Sequence, residues 1–289
     1  MITQTTIIRQ TQALEVLSTN TDSWQQQLAD VIRDPAELCE LLQIDPRYLA
    51  PALAASEDFP LRVPRAFVGR MVAGDINDPL LRQVLPLGEE LDYQPGFTAD
   101  PLQEAQANPA PGLIHKYHGR VLLVVSGGCA INCRYCFRRH FPYEDNNPSR
   151  RQWQQTLDYI RADDSIQEVI FSGGDPLAAG DKLLAELASA INDIPHVTTL
   201  RIHSRLPVVI PQRISEQCLQ WLKQPQLQTV MVIHSNHANE IDAEVGAALM
   251  KLKQAGISLL NQAVLLAGVN DDSNSLTLLS QRLFQYGVL

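Results

Sequence analysis

From residue 120 onward the chain alternates short apolar runs with amphipathic stretches at a steady rhythm. The runs VLLVVS (121–126), EVIFSG (168–173), TTLRIHS (198–204), TVMVIHS (229–235) and ISLLNQAVLL (257–266) read as strands. Between them, residues 149–162, 181–192, 212–223, 239–255 and 273–286 read as helices. This alternation predicts parallel βα units, and near-continuous apolar strands predict a sheet covered on both faces. Five units in a row fit an α/β fold of the full or partial (β/α) barrel type better than a small open sheet, which the pattern does not exclude.

Residues 1–110 follow another pattern, mostly helical with loops. Ser23 is placed to cap a helix beginning near Trp24, and Asp34-Pro35 to start another. Residues 86–111 are rich in proline and polar residues and read as an extended connector wrapping a neighbouring domain. The expected organisation is a helical region with its connector at 1–110 and a partial barrel at 111–289. The run FQYGVL (284–289) reads as the entrance to a sixth strand, so the barrel is expected to be truncated there.

Polar residues fall where a barrel would use them. The run 126–136 follows the first expected strand and Gly173-Gly174-Asp175 the second. His203-Ser204-Arg205 ends the third and His234-Ser235-Asn236-His237 the fourth, while Asn261-Gln262 lies within the fifth. Barrels carry their chemistry at the C-terminal ends of strands.

Composition removes several function classes. A formal charge of -9 lacks the basic footprint of a nucleic-acid binder, and no apolar run approaches a membrane span. The opening MITQTTIIRQTQALEV lacks the apolar core of a secretory signal, and five cysteines, an odd number, argue against a disulfide framework. A reducing cytoplasm is the expected location.

Three of the cysteines stand close together: Cys129, Cys133 and Cys136, spaced C-x3-C-x2-C. Three thiolates can hold three irons of a four-iron cluster and leave the fourth iron open to a small molecule. Zinc is the rival reading, with His140 as a further ligand, although a structural zinc site needs four. Cys39 and Cys218 lie in helical segments and read as small buried apolar residues. His234, His237 and Glu240 suggest a second metal set, but their spacing suits a strand end poorly.

With an aromatic residue (Tyr135) before the last cysteine, the motif resembles the signature of the radical S-adenosylmethionine enzymes, and SGGDP (172–176) is similar to their second motif. The runs HKYHGRVLLVVSGGC, CRYCFRRHF, RIHSRLPVVIPQRI, HSNHANEI and NQAVLLAGVND resemble the lysine 2,3-aminomutases. CAINCRYCFRRHFPYE looks most like the bacterial branch that makes (R)-β-lysine for elongation factor P. The resemblance is strong over residues 110–289 and looser before them.

That resemblance implies a [4Fe-4S] cluster on Cys129, Cys133 and Cys136, with S-adenosylmethionine on the open iron and pyridoxal 5'-phosphate joined to the substrate L-lysine. It implies that Arg138 grips the substrate carboxylate, which suits the guanidinium fork, though Arg138-Arg139-His140 is also an ordinary basic run. Tyr117 and Arg120 would lie near the pyridoxal phosphate and the substrate, with Lys116 helping at the phosphate. Ser172, Gly173, Gly174 and Asp175, followed by Ser204, His234 and Gln262, would contact S-adenosylmethionine. The plainer readings are a tight turn for the glycines and a satisfied structural role for the histidine. The lysine that carries pyridoxal phosphate and the acids that hold the substrate ε-ammonium are expected beyond Leu289. Implied partners are an electron donor such as flavodoxin and a ligase that attaches β-lysine to elongation factor P. Another amino acid as substrate, or a non-catalytic iron–sulfur or zinc protein that binds a translation factor, are the competing functions.

Overall fold

The computed structural model describes residues 23–92, 95–146 and 148–289; the expectations for residues 1–22 lie outside them. Six strands form one sheet in the order β1-β2-β3-β4-β5-β6. They are β1 (Leu113–Tyr117), β2 (Arg120–Ser126), β3 (Glu168–Gly173), β4 (Thr199–Ser204), β5 (Gln228–His234) and β6 (Ser258–Gln262). β1 is antiparallel to β2, and all later neighbours are parallel. A doubly wound sheet reverses its strand order partway, whereas this one never does, which is the topology of a partial barrel.

The helices are α1 (Trp24–Ala29), α2 (Pro35–Leu41), α3 (Leu49–Asp58), α4 (Arg65–Val68), α5 (Arg150–Ala162), α6 (Asp181–Asn192), α7 (Leu206–Val209), α8 (Glu216–Leu222), α9 (Ala243–Gln254) and α10 (Ser273–Gln285). Ser23 forms a capping box at α1 and Asp34 caps α2, as their positions before Trp24 and Pro35 predict. Two expected helices start late. The 212–223 segment begins its α-helix only after a 3-10 turn at Pro211–Arg213, and the 239–255 segment only after Asp242, whose side chain caps α9.

Two strand expectations change. β1 was not anticipated: its five residues pair back on β2 through a turn at Gly119, which takes φ +79°. The expected strand 257–266 stops at Gln262 because side-chain amides take over the backbone beyond it. Val264 N–H donates to Asn236 Oδ1 at 2.8 Å and Leu266 N–H to Asn270 Oδ1 at 2.8 Å. Leu289 lies beside β6: its N–H donates to Leu259 O at 3.1 Å, and its carbonyl accepts from Asn261 N–H at 2.8 Å.

The sheet has two unlike faces. Leu123, Val169, Phe171, Leu200, Ile202 and Met231 are fully buried on one, within the main hydrophobic core. The register puts Arg120, Glu168, Ser172, Arg201, His203, His234 and Gln262 on the other. This second face mixes those polar residues with the buried Val124, Val230 and Val232; Tyr117 at its β1 edge is 62% exposed, and Glu168 accepts from Arg201 Nε at 2.7 Å. The alternate polar positions were hidden because each strand holds only one or two of them.

The N-terminal helices share the core, which runs from Trp24 to Val288. Buried Arg213 stacks on Trp24, 4.4 Å from the ring centre, and pairs with Asp181 at 2.7 Å. Arg70 pairs with Asp242 and donates to the carbonyls of Val208 and Glu240.

Candidate active site

The cysteine loop leaves β2 at Ser126 and is laced to the end of β3. Gly174 N–H donates to Ser126 O at 2.8 Å and Asp175 N–H to Gly128 O at 2.9 Å. The two backbones approach so closely that side chains are excluded. A Cβ on Gly174 would stand 2.7 Å from Gly128 O and 3.0 Å from Cys129 Sγ; one on Gly173, where φ is +122°, would stand 2.5 Å from Ser126 O. The Gly173 carbonyl accepts from Tyr143 Oη at 3.0 Å and from Arg138 Nη1 at 3.3 Å.

Asp175 and Ser204 tie β3 to β4. Asp175 Oδ1 accepts from Ser204 Oγ at 2.7 Å and Leu177 N–H at 3.0 Å; Oδ2 accepts from the N–H groups of Arg205 at 2.8 Å and Leu206 at 3.1 Å. Burial pushes the Asp175 carboxyl up, opposed by these four donors. Asp175 fixes the turn through these bonds, and the Ser204 hydroxyl is spent on the same junction.

Below the loop lies a buried polar network that the strand-end reading did not single out. Arg205 donates from Nη1 to Cys133 Sγ at 2.8 Å and to Tyr135 Oη at 2.7 Å, and from Nη2 to Gln83 Oε1 at 2.7 Å and Glu240 Oε2 at 3.1 Å. Asn236 Nδ2 joins Gln83 Oε1 and Tyr135 Oη, and Gln83 Nε2 donates to Glu240 Oε1 at 3.1 Å. Glu240 is thus held as an ion-pair partner, and its place in the second suggested metal set is taken.

Arg138 is buried, and its fork is filled. Nε and Nη2 donate to the two Glu104 carboxylate oxygens at 2.8 and 2.7 Å, while Nη1 donates to Ser172 Oγ at 3.0 Å. Glu104 belongs to the 86–111 connector, so that segment reaches into the site. Beside the pair is a pocket of about 100 Å³ lined by Asn108, Phe137, His140 and Phe141 among others.

His234 and Gln262 stand side by side at the ends of β5 and β6, with the His203 Nδ1 3.1 Å from Gln262 Oε1. Burial drives His234 down to about 3 and His203 to about 4, so both rings are neutral at neutral pH. His234 Nε2 is buried with no hydrogen-bond partner, an orphan that calls for a ligand.

Lys116, Tyr117 and Arg120 are not brought to this end. They surround the β1–β2 turn, and six residue steps along β2 separate Arg120 from Ser126 by about 20 Å. They share the polar face with His234 and Gln262 but at its far end. Arg120 pairs with Glu168 at 3.5 Å, and Lys116 Nζ donates to Leu102 O at 2.5 Å.

The donor set fits an iron–sulfur cluster. Burial, then the Asp175 charge, pushes the Cys129 thiol well up, and burial pushes Cys136 up; coordination to iron offsets that penalty by taking thiolates directly. Cys133 Sγ accepts a hydrogen bond from the Arg205 guanidinium. Among the described residues no three His, Cys, Asp or Glu side chains converge on one ion. A zinc needs such convergence, whereas each sulfur of a cluster reaches a different iron. Cys39 and Cys218 are buried in α2 and α8, away from this set.

Comparison with known proteins agrees with this geometry. A family model for the radical SAM superfamily matches residues 123–221, which include the three cysteines and the Gly-Gly-Asp turn. The fold and the loop therefore define a radical S-adenosylmethionine protein, a class that uses a [4Fe-4S] cluster and S-adenosylmethionine. The chain is 51% identical over 278 residues to the L-lysine 2,3-aminomutase of Escherichia coli (strain K12), covering 95% of this chain and 81% of that protein. It is 49% identical over 267 residues to the L-lysine 2,3-aminomutase of Haemophilus influenzae, covering 92% and 79%. A Buchnera aphidicola protein of the same name is 42% identical over 270 residues, covering 93% and 79%. The chain belongs to the lysine 2,3-aminomutase family of radical S-adenosylmethionine isomerases.

Proposed function

We propose that this protein moves the α-amino group of L-lysine from C2 to C3, with Cys129, Cys133 and Cys136 holding the cluster. The observation that carries the reading is the cysteine loop laced to the 172–175 turn, with the orphaned His234 Nε2 and Gln262 at the neighbouring strand ends on the sheet face that also carries Tyr117 and Arg120. When bound, the cluster with S-adenosylmethionine supplies a carbon-centred radical and pyridoxal phosphate carries the migrating nitrogen.

The residues divide this work by position. His234 Nε2 and Gln262 serve S-adenosylmethionine at the strand ends, with the 172–175 turn beneath. Neutral His234 accepts or donates without adding charge. Arg138 receives the substrate carboxylate once Glu104 is displaced. Lys116, Tyr117 and Arg120 receive the pyridoxal phosphate end, exchanging their contacts with Leu102 and Glu168. The buried loop base keeps water from the cysteine end of the site.

The finer reading is that the product is (R)-β-lysine for elongation factor P, attached by a separate ligase. A flavodoxin-like donor supplies electrons in the cytoplasm. No helix among the described residues is long and apolar enough to cross a membrane. The test is anaerobic reconstitution followed by chiral analysis of products from L-lysine. The expected result is β-lysine, predominantly R. Cleavage of S-adenosylmethionine with no β-amino acid from lysine would overturn the substrate assignment.

A further inference from the structure

The guanidinium of Arg205 is aimed at one cysteine only. Its Nη1 lies 2.8 Å from Cys133 Sγ, while Nη2 is bound to Gln83 and Glu240. The side chain is 4% exposed and Glu240 is fully buried, so solvent does not screen this charge. Three chain segments converge to hold it: Gln83 before the connector, Tyr135 within the loop and Glu240 after β5, with Asn236 from that last segment bonded to Gln83. Asn236 N–H and His237 N–H both donate to Glu240 Oε1, at 2.8 and 3.0 Å. Such a cage spends more polar groups than a loop anchor needs.

We propose that Arg205 is a positioning residue that sets the reduction potential of the cluster through its hydrogen bond to Cys133, with Glu240 as the opposing charge. This rests on the reading of the three cysteines as cluster ligands. The step it controls is the uptake of one electron by the oxidised cluster from a low-potential one-electron donor, with no atom transferred. An N–H donor and a full positive charge at the sulfur stabilise the reduced, more negative cluster, which raises the potential. Glu240 tempers the effect because its negative charge lies on the other side of the same guanidinium.

The two charges therefore predict shifts of opposite sign. The experiment reconstitutes wild type, Arg205→Gln and Glu240→Gln anaerobically and measures iron content. The midpoint potential is then read by electron paramagnetic resonance during dithionite titration, without S-adenosylmethionine. Iron near four per chain in the wild type tests the ligand reading by itself; a chain without a cluster sinks that reading. Given a cluster, Arg205→Gln should lower the reduced-to-oxidised ratio at fixed poise about tenfold, a shift of about 59 mV for one electron. Glu240→Gln should shift the midpoint the other way. Unchanged midpoints at full iron content overturn the proposal. If Arg205→Gln holds no cluster, Glu240→Gln decides alone. If neither variant holds one, the network serves folding and the proposal fails.

Discussion

Replacing Glu104 with glutamine separates the two roles open to Arg138. In the structure the Glu104 carboxylate fills the fork through bonds of 2.7 and 2.8 Å, and both side chains are under 10% exposed. A substrate carboxylate that needs the same fork must displace it. Glutamine keeps one acceptor oxygen and turns an NH2 donor toward the guanidinium, so one of the two charged hydrogen bonds, worth about 1.5–3 kcal/mol, is lost and displacement is eased by about 2 kcal/mol. That is a ceiling of about thirtyfold in affinity. The assay is anaerobic calorimetry of cofactor-loaded wild type and Glu104→Gln with L-lysine and with 1,5-diaminopentane, which has both amines but no carboxylate. L-lysine should bind the variant up to about thirtyfold more tightly, and the diamine should show no gain. The variant should also melt earlier, since removing one partner of a buried pair costs up to about 3–5 kcal/mol. Unchanged lysine affinity, or an equal gain for the diamine, would refute competition at Arg138 and leave the pair as a structural clasp.

Two further predictions test the loop base and the strand ends. Gly174→Ala puts a Cβ 2.7 Å from Gly128 O and 3.0 Å from Cys129 Sγ, so iron content after reconstitution should fall below half; full loading would show that the loop can shift. Stability should decline from pH 7 to pH 5: His234 sits at about 3 when folded, below its unfolded 6.5, so the unfolded chain takes the proton first. That linkage is worth about 2 kcal/mol at pH 5, and His234→Gln should flatten the thermal-denaturation slope; an unaltered slope would assign the acid sensitivity elsewhere.

The parallel strands were legible because each is a short apolar run followed by a polar or glycine-rich end. β1 was not, since LIHKY carries two apolar residues and needs β2 beside it before it becomes a strand. The cysteines stand out by their spacing, and the Gly-Gly-Asp turn by its place after a strand. The pairing of Arg205 with Glu240 does not: spacing marks the first only as a strand-end charge and the second only as a member of a suggested metal set. Their meaning comes from Gln83, more than a hundred residues earlier, whose amide sits between them. Glu104 was hidden for the same reason, inside a stretch whose composition reads only as connector. Arg138 is expected from the resemblance to grip a substrate carboxylate, but Glu104, which fills its fork here, could not be deduced without the fold.

The contributions of Gln83 and Glu104 change the standing of the N-terminal region. A cluster held by three thiolates lacks one of the four covalent staples of a closed site, so the loop that carries it must be shaped by the protein. Here residues 60–90 do much of that shaping. Asn132 N–H donates to Arg62 O at 2.9 Å and its amide to Pro60 O at 2.8 Å, while Arg134 N–H donates to Gln83 O at 2.9 Å. The Arg134 guanidinium reaches Glu90 and Arg82 O. Between the first and last cysteine, the loop is thus tied to the N-terminal region by backbone and side-chain hydrogen bonds from Asn132 and Arg134. Without that region the cysteine loop would lose the surface against which it takes its shape, and the sheet would lose part of its core.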